Sequence, residues 1–182
     1  IYKESISLKE QQFIRNELTV KPHISGSPIK VEPYPIYQES LQKLYIPRVF
    51  GIKYFGEPQE DKLPKPEKSL ITFAGNLKEY QEKIVNIYLK YIESNFGGLL
   101  EIPCGRGKTV MALAIMCKLG FKTLVVVHKT FLANQWIERI QEFVPTAKIG
   151  RIQGEIIDTE NKDIVIGMLQ SLSMKEYPKD IF

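Results

Sequence analysis

The sequence predicts an α/β fold, a parallel sheet flanked by helices and preceded by a small mixed α/β segment. Two observations carry this. From residue 69 onward, short apolar runs of strand character alternate with longer runs of helical period. Ahead of that, the texture differs: eight of the eleven prolines lie at or before Pro66. Composition agrees with a folded chain. With 43% apolar and 25% charged residues and a net charge of +4 over 182 residues, disordered, collagen-like and disulfide-scaffold classes are excluded. No apolar run reaches the roughly 18–20 residues of a membrane span. The length suits one domain, or one domain with a small appendage. The chain opens on Ile1 without a charged-then-apolar leader, so a processed product or part of something longer is expected.

The elements follow in order. Residues Leu8 to Asn16 suit a short helix ahead of Leu18-Thr19-Val20. Leu44-Tyr45-Ile46 and Val49-Phe50-Gly51-Ile52 are β-rich pieces broken by Pro47, which suits edge strands. The charged, proline-rich stretch from Glu57 to Lys68 marks a linker. The expected division is therefore 1–68, an accessory segment, and 69–182, the sheet-bearing domain. Asn76 and Glu79 suggest a capping box. It opens a helix with Leu77, Tyr80, Ile84, Ile87, Tyr88 and Tyr91 on its apolar face, closed near Gly97-Gly98. Leu99 to Ile102 reads as a short buried strand. A tight loop, Pro103 to Gly107, feeds a helix from Lys108 to Leu119 closed by Gly120. Thr123 to Val127 reads as a buried parallel strand. Phe131 to Phe143 is an amphipathic helix with Leu132, Trp136, Ile140 and Phe143 on one face. Lys148 to Gln153 and Asp163 to Gly167 complete the strands. Tyr80 and Trp136 are expected in the core.

Cys104-Gly105-Arg106-Gly107-Lys108-Thr109 carries the chemistry. Two glycines let successive backbone N–H groups converge on one anion, and a helix N-terminus adds partial positive charge. Lys108 is placed to reach β- and γ-phosphates, and the Thr109 hydroxyl to coordinate Mg²⁺. Lys108 and Thr109 are the candidate catalytic residues. The general phosphate-loop pattern puts a glycine five positions before Gly107, where this chain has Ile102. On these residues alone, a nucleotide kinase or GTPase remains open. So does a non-enzymatic interaction or nucleic-acid-binding fragment. The eleven basic and nine acidic residues before Gly75 give no strong electrostatic footprint. Cys104 and Cys117 have no metal-site spacing and read as reduced thiols of an intracellular protein.

The string Glu101-Ile102-Pro103-Cys104-Gly105-Arg106-Gly107-Lys108-Thr109 resembles motif I of superfamily 2 helicases, in which the first glycine is usually absent and a proline stands at the Pro103 place. The resemblance implies a RecA-like core that couples ATP hydrolysis to movement on nucleic acid. It implies ATP and Mg²⁺ as cofactors, held by Pro103, Cys104, Gly105, Arg106, Gly107, Lys108, Thr109 and Val110. Leu77-Lys78-Glu79-Tyr80-Gln81 resembles the Q-motif, making Gln81 the adenine reader. Val125 to Trp136 resembles motif Ia, which implies backbone contacts to DNA or RNA from His128, Lys129 and Thr130. Ile149 to Gly154 and Asp163 to Ser173 stand where motifs Ib and Ic are expected, adding Gln153, Gly154, Gln170 and Ser171. Within the superfamily the chain is similar to XPB-type translocases, and its blocks look like helicases of large nucleocytoplasmic DNA viruses. That implies work in viral transcription or replication, with proteins of those processes as partners, in host cytoplasm, virus factory or virion. It implies no membrane. The family also needs an Asp-Glu motif and a second RecA-like domain. No Asp-Glu pair follows a buried strand behind the phosphate loop here, so these 182 residues are expected not to turn over ATP alone.

Overall fold

The computed structural model describes residues 1–22, 31–95, 97–178 and 181. They form two compact units, Ile1–Lys62 and Leu63–Phe182.

In the first unit a 3₁₀ turn, Lys3–Ser5, leads into α1, Leu8–Glu17. Ser7 and Glu10 form a reciprocal capping box at its start. Two short antiparallel pairs follow. β1 (Thr19–Val20) pairs with β2 (Tyr34–Pro35), and β3 (Gln38–Glu39) with β4 (Leu44–Tyr45). Arg48–Phe55 is a helix, α2, where the β-rich composition of Val49 to Ile52 predicts a strand. The reason is tertiary. Phe50 and Tyr54, one helical turn apart, pack together at 4.7 Å between ring centroids, and both rings meet Phe13 of α1. The core is Ile14, Leu18 and Leu44, with Phe50 and Phe55 against it.

Two ion pairs fasten the proline-rich stretch, one at Asp61 and one at Glu67. Arg48 grips the Asp61 carboxylate with two nitrogens, at 3.1 and 2.7 Å. Further on, Glu67 takes the Lys122 ammonium at 3.0 Å.

The second unit is built on a four-stranded sheet in the order β5-β8-β6-β7. β5 is Thr123–Val127, β6 Ile149–Gln153, β7 Ile156–Asp158 and β8 Ile164–Met168. β5, β8 and β6 run parallel, while β7 is an antiparallel edge that sequence reading missed. β8 is buried along its whole length, as a central parallel strand must be. One face of the sheet packs on α5, Thr130–Phe143, through Val125, Val127, Ile164 and Ile166 against Ala133, Ile140 and Val144. Trp136 packs at the margin of this core. On the other face α6, Leu169–Met174, lays Leu172 over Gly167, where an added Cβ would press on the Leu172 methyl and require it to shift.

α4 (Lys108–Leu119) presents Leu113 to the sheet core, and Met111 and Ile115 to Val85 of α3 (Glu79–Asn95). α3 begins later than the Asn76 cap predicts. Its N-cap is Lys78, whose N–H donates to the Gln81 side chain at 2.9 Å. Val85 is fully buried, while Ile87 and Tyr91, expected on the apolar face, are 70% and 54% exposed. With Leu99 and Leu100 they line an open apolar groove.

Residues 99–102 form no strand. Leu100 and Ile102 are half-buried against the α3–α4 core, and Leu99 and Glu101 are exposed, so the alternation of an extended chain is present. A strand also needs a backbone partner, and no strand among the described residues lies beside this one.

At the opposite end of the sheet from the strand tips, Asp163 ties three segments together. Its carboxylate accepts from the Ser69 hydroxyl at 2.7 Å and from the Lys148 N–H at 2.8 Å, and its carbonyl accepts from the Thr123 N–H at 2.9 Å.

Candidate nucleotide and nucleic-acid site

The loop 103–107 turns through two left-handed residues, Gly105 at φ 75° and Gly107 at φ 79°, a backbone region that disfavours any residue with a Cβ. Gly107 has a second constraint, because a Cβ there would run into the Gln81 amide. Gly107 is also the N-cap of α4 and caps it with no side chain. The first-turn N–H groups of Lys108, Thr109 and Val110 thus lack intrahelical acceptors and face out of the helix end. Pro103, Cys104, Gly105 and Arg106 are exposed around them. Lys108 folds back over the loop, its Nζ donating to the carbonyls of Ile102 at 2.9 Å and Pro103 at 3.2 Å.

These features fit a polyphosphate. Outward N–H groups, a helix N-terminus and two cations, Arg106 and Lys108, stand together, with no carboxylate among residues 102–110. Among the described residues no cluster of three or more His, Cys, Asp or Glu could hold a metal by itself. In the loop itself, the Thr109 hydroxyl is the oxygen donor that a divalent ion could take.

Gln81 is 6% exposed. Its Oε1 accepts the Lys78 N–H, and its Nε2 donates to the Arg106 carbonyl at 3.1 Å. The adenine-reading candidate is thus fastened to the phosphate loop, both ends of its amide engaged. Tyr80, expected in the core, is only half-buried and turns its hydroxyl to the same Arg106 carbonyl at 3.2 Å. Helix α3 starts beside the loop, so its second residue faces that loop and not the interior.

The nucleic-acid candidates come together at the carboxyl ends of three parallel strands, the edge where open α/β sheets present ligand sites. His128 follows β5, Gly154 follows β6, and Gln170 lies two residues past β8. They are cross-braced. Gln170 Nε2 donates to the His128 carbonyl at 2.9 Å, the Gly154 N–H to Ser171 Oγ at 2.9 Å, and Gln153 Nε2 to Thr130 Oγ1 at 3.3 Å. His128, Lys129 and Thr130 are exposed, and Lys129 is the N-cap of α5.

Sequence reading missed further members of this web. Arg151 donates through Nη2 to Asn134 Oδ1 at 2.9 Å, a second rung between β6 and α5 below the Thr130–Gln153 rung. Its Nε is buried with no hydrogen-bond partner among the described residues. Lys175 donates to the Gly154 carbonyl at 2.8 Å and pairs with Glu155 at 2.7 Å, drawing that carboxyl below its ordinary value. The Tyr177 hydroxyl donates to the Ser171 carbonyl at 2.8 Å. The i,i+2 spacing of Arg151 and Gln153 on a strand was the one available signal. Of the two thiols, Cys104 stands exposed in the phosphate loop. Burial pushes the Cys117 thiol up to about 11.

The family described as the res subunit of type III restriction enzymes matches residues 74–180. The chain belongs to this family. The match spans α3, the phosphate loop, every strand of the sheet and the Gly154–Ser171 web, so both candidate sites lie on the res-subunit fold. Relatives agree. A protein of Acanthamoeba polyphaga mimivirus, provisionally named an ATP-dependent RNA helicase, is 37% identical over 175 residues, 93% of this chain and 34% of that protein. The DNA 3'-5' translocase of Sulfurisphaera tokodaii is 37% identical over 84 residues, 46% of this chain and 18% of that protein. The chain thus spans about a third of the mimivirus protein's length. Among solved structures, the Sulfolobus solfataricus SWI2/SNF2 ATPase core in complex with double-stranded DNA superposes with a TM-score of 0.50 at 23% identity, covering 63% of this chain and 25% of that one. What the two share is the α/β fold. Among the described residues no helix is long and apolar enough to cross a membrane.

Proposed function

We propose that this chain is the nucleotide-loading and strand-contacting part of an ATP-driven helicase or translocase. The observation that carries the reading is the phosphate loop: two left-handed glycines, an uncapped helix N-terminus and Lys108 on one short turn. Gly105 and Gly107 let the backbone wrap the β-phosphate. Lys108 leaves the carbonyls of Ile102 and Pro103 for the more strongly attracting phosphate oxygens. Thr109 offers its hydroxyl to Mg²⁺, and Gln81 stands beside the loop, where its Oε1 keeps a second lone pair for the adenine amino group while its Nε2 stays on the Arg106 carbonyl. Bound MgATP supplies the phosphoryl-transfer free energy. The chain's own residues bind it, orient it and hold its charge.

DNA or RNA is the proposed track. His128, Lys129, Thr130, Gln153, Gln170 and Ser171 offer neutral and cationic donors of the kind that hold a sugar–phosphate backbone without reading bases, and Gly154, its N–H held by Ser171, keeps the strand end in place beside them. In this reading a second RecA-like domain completes the ATP site. The likeness to giant-virus proteins supports a role in viral transcription or replication inside the host cell. The test is ATP turnover by a protein of the mimivirus relative's length containing this chain, with and without single- and double-stranded DNA and RNA. Turnover that rises with nucleic acid and is abolished by Lys108→Ala supports the reading. Transfer of phosphate to a small-molecule acceptor, indifferent to nucleic acid, overturns it.

A further inference from the structure

Helix α3 begins with two adjacent side chains aimed at one carbonyl. The Tyr80 hydroxyl and Gln81 Nε2 both donate to the Arg106 main-chain oxygen, at 3.2 and 3.1 Å. Gln81 Nε2 also lies 3.4 Å from the Tyr80 oxygen, so the three groups form a closed triangle. A carbonyl has two lone pairs, and here both are engaged from the same helix. The Arg106 guanidinium lies 5.9 Å from the centre of the Tyr80 ring, which brings the side chain to the same spot as its carbonyl.

The consequence comes from peptide geometry. The Arg106–Gly107 bond is trans, so the carbonyl of Arg106 and the N–H of Gly107 point in opposite directions. Fixing that carbonyl against α3 turns the Gly107 N–H away from α3, toward the open side of the loop. Gly107 is free of a Cβ in the left-handed region, so its neighbouring peptides are otherwise among the easiest in the chain to rotate. Two hydrogen bonds oppose that rotation, and one of them belongs to Tyr80.

We propose that Tyr80 is a positioning residue for the phosphate cradle: its hydroxyl holds the Arg106–Gly107 peptide in the orientation that presents the Gly107 N–H to a nucleotide phosphate. Tyr80 itself touches no nucleotide. The proposal rests on the nucleotide-site reading above and extends it to a residue whose sequence position suggests only packing. Its signature is selectivity for the polyphosphate over the base, because the peptide it holds lies in the phosphate loop.

Tyr80→Phe removes one oxygen and keeps the ring and its place beside Arg106. ATP and inorganic tripolyphosphate are titrated into the wild-type chain and this variant, with Lys108→Ala alongside, and the Gly107 amide resonance is followed without ligand. The expected result is a loss of about fivefold in affinity, the value of one modest hydrogen bond, alike for ATP and tripolyphosphate. The Gly107 amide should shift or broaden while the melting temperature stays close to wild type. Unchanged affinity with an unchanged Gly107 amide overturns the proposal. So does a loss confined to ATP, which would put Tyr80 at the base. If wild-type binding is absent or ignores Lys108→Ala, the nucleotide-site reading fails and takes this inference with it. Binding that needs Lys108 but ignores Tyr80→Phe overturns the positioning role alone.

Discussion

The Ser69 hydroxyl donates to Asp163 Oδ1 at 2.7 Å across 94 residues of sequence, and it joins the segment entering the second unit to the start of its central strand. Ser69 is 5% exposed, and the other carboxylate oxygen is taken by the Lys148 N–H. Asp163→Ala strands both donors. It should cost about 2 kcal/mol in urea unfolding of the chain, and Ser69→Ala about 1 kcal/mol. If Asp163→Ala unfolds at the wild-type midpoint, Asp163 is not the tie between these strands.

The web at the strand ends separates charge from geometry. Lys129→Ala removes a cation, so the log–log salt dependence of binding to a fluorescent duplex should fall by about one unit of slope. Ser171→Ala removes no charge but releases the Gly154 N–H. It should weaken binding about threefold or more with the slope unchanged. Anisotropy titrations across a salt series read both. Wild-type affinity in both variants would move the nucleic-acid path off these strand ends.

Acid should loosen the first unit through Glu39. Hydrogen bonds from Arg15 first, then Lys3, hold its carboxyl at about 2, below its ordinary 4.5. The folded value is the depressed one. The contribution is therefore whole above about 4.5 and drains away as pH falls toward about 2. Melts of the wild type and Glu39→Gln should differ most near neutrality and converge through that window. A gap that stays constant with pH would contradict the assignment.

The two thiols should behave differently. Iodoacetamide near neutral pH should alkylate Cys104, exposed in the loop, and leave Cys117, whose thiol sits at about 11. MgATP should slow the Cys104 reaction by covering the loop. Mass spectrometry after a short pulse assigns the label, and rapid labelling of Cys117 in the folded protein would be inconsistent with its burial.

Much of this was legible in the sequence, for physical reasons. β8 is apolar throughout because both of its faces are buried, and α4 is bracketed by glycines that both prove left-handed. The strand-end residues were legible only through the helicase resemblance, since their cross-bracing joins residues up to 42 apart. What failed were local readings that tertiary contacts overrule. Val49 and Ile52 carry strand character into a helix because Phe50 and Tyr54 need Phe13. Leu99 to Ile102 has a strand's alternation without a partner. Tyr80 reads as core by spacing, yet sits where the helix start meets the phosphate loop.

The central claim is that the loop 103–107 and Lys108 bind the phosphates of ATP. Calorimetric titration of MgATP into the 182-residue chain, wild type against Lys108→Ala, tests it most directly. The account predicts saturable one-to-one binding that weakens at least about tenfold in the variant, the loss of one charge-assisted contact. Equal heats from both proteins, or none from the wild type, would contradict it.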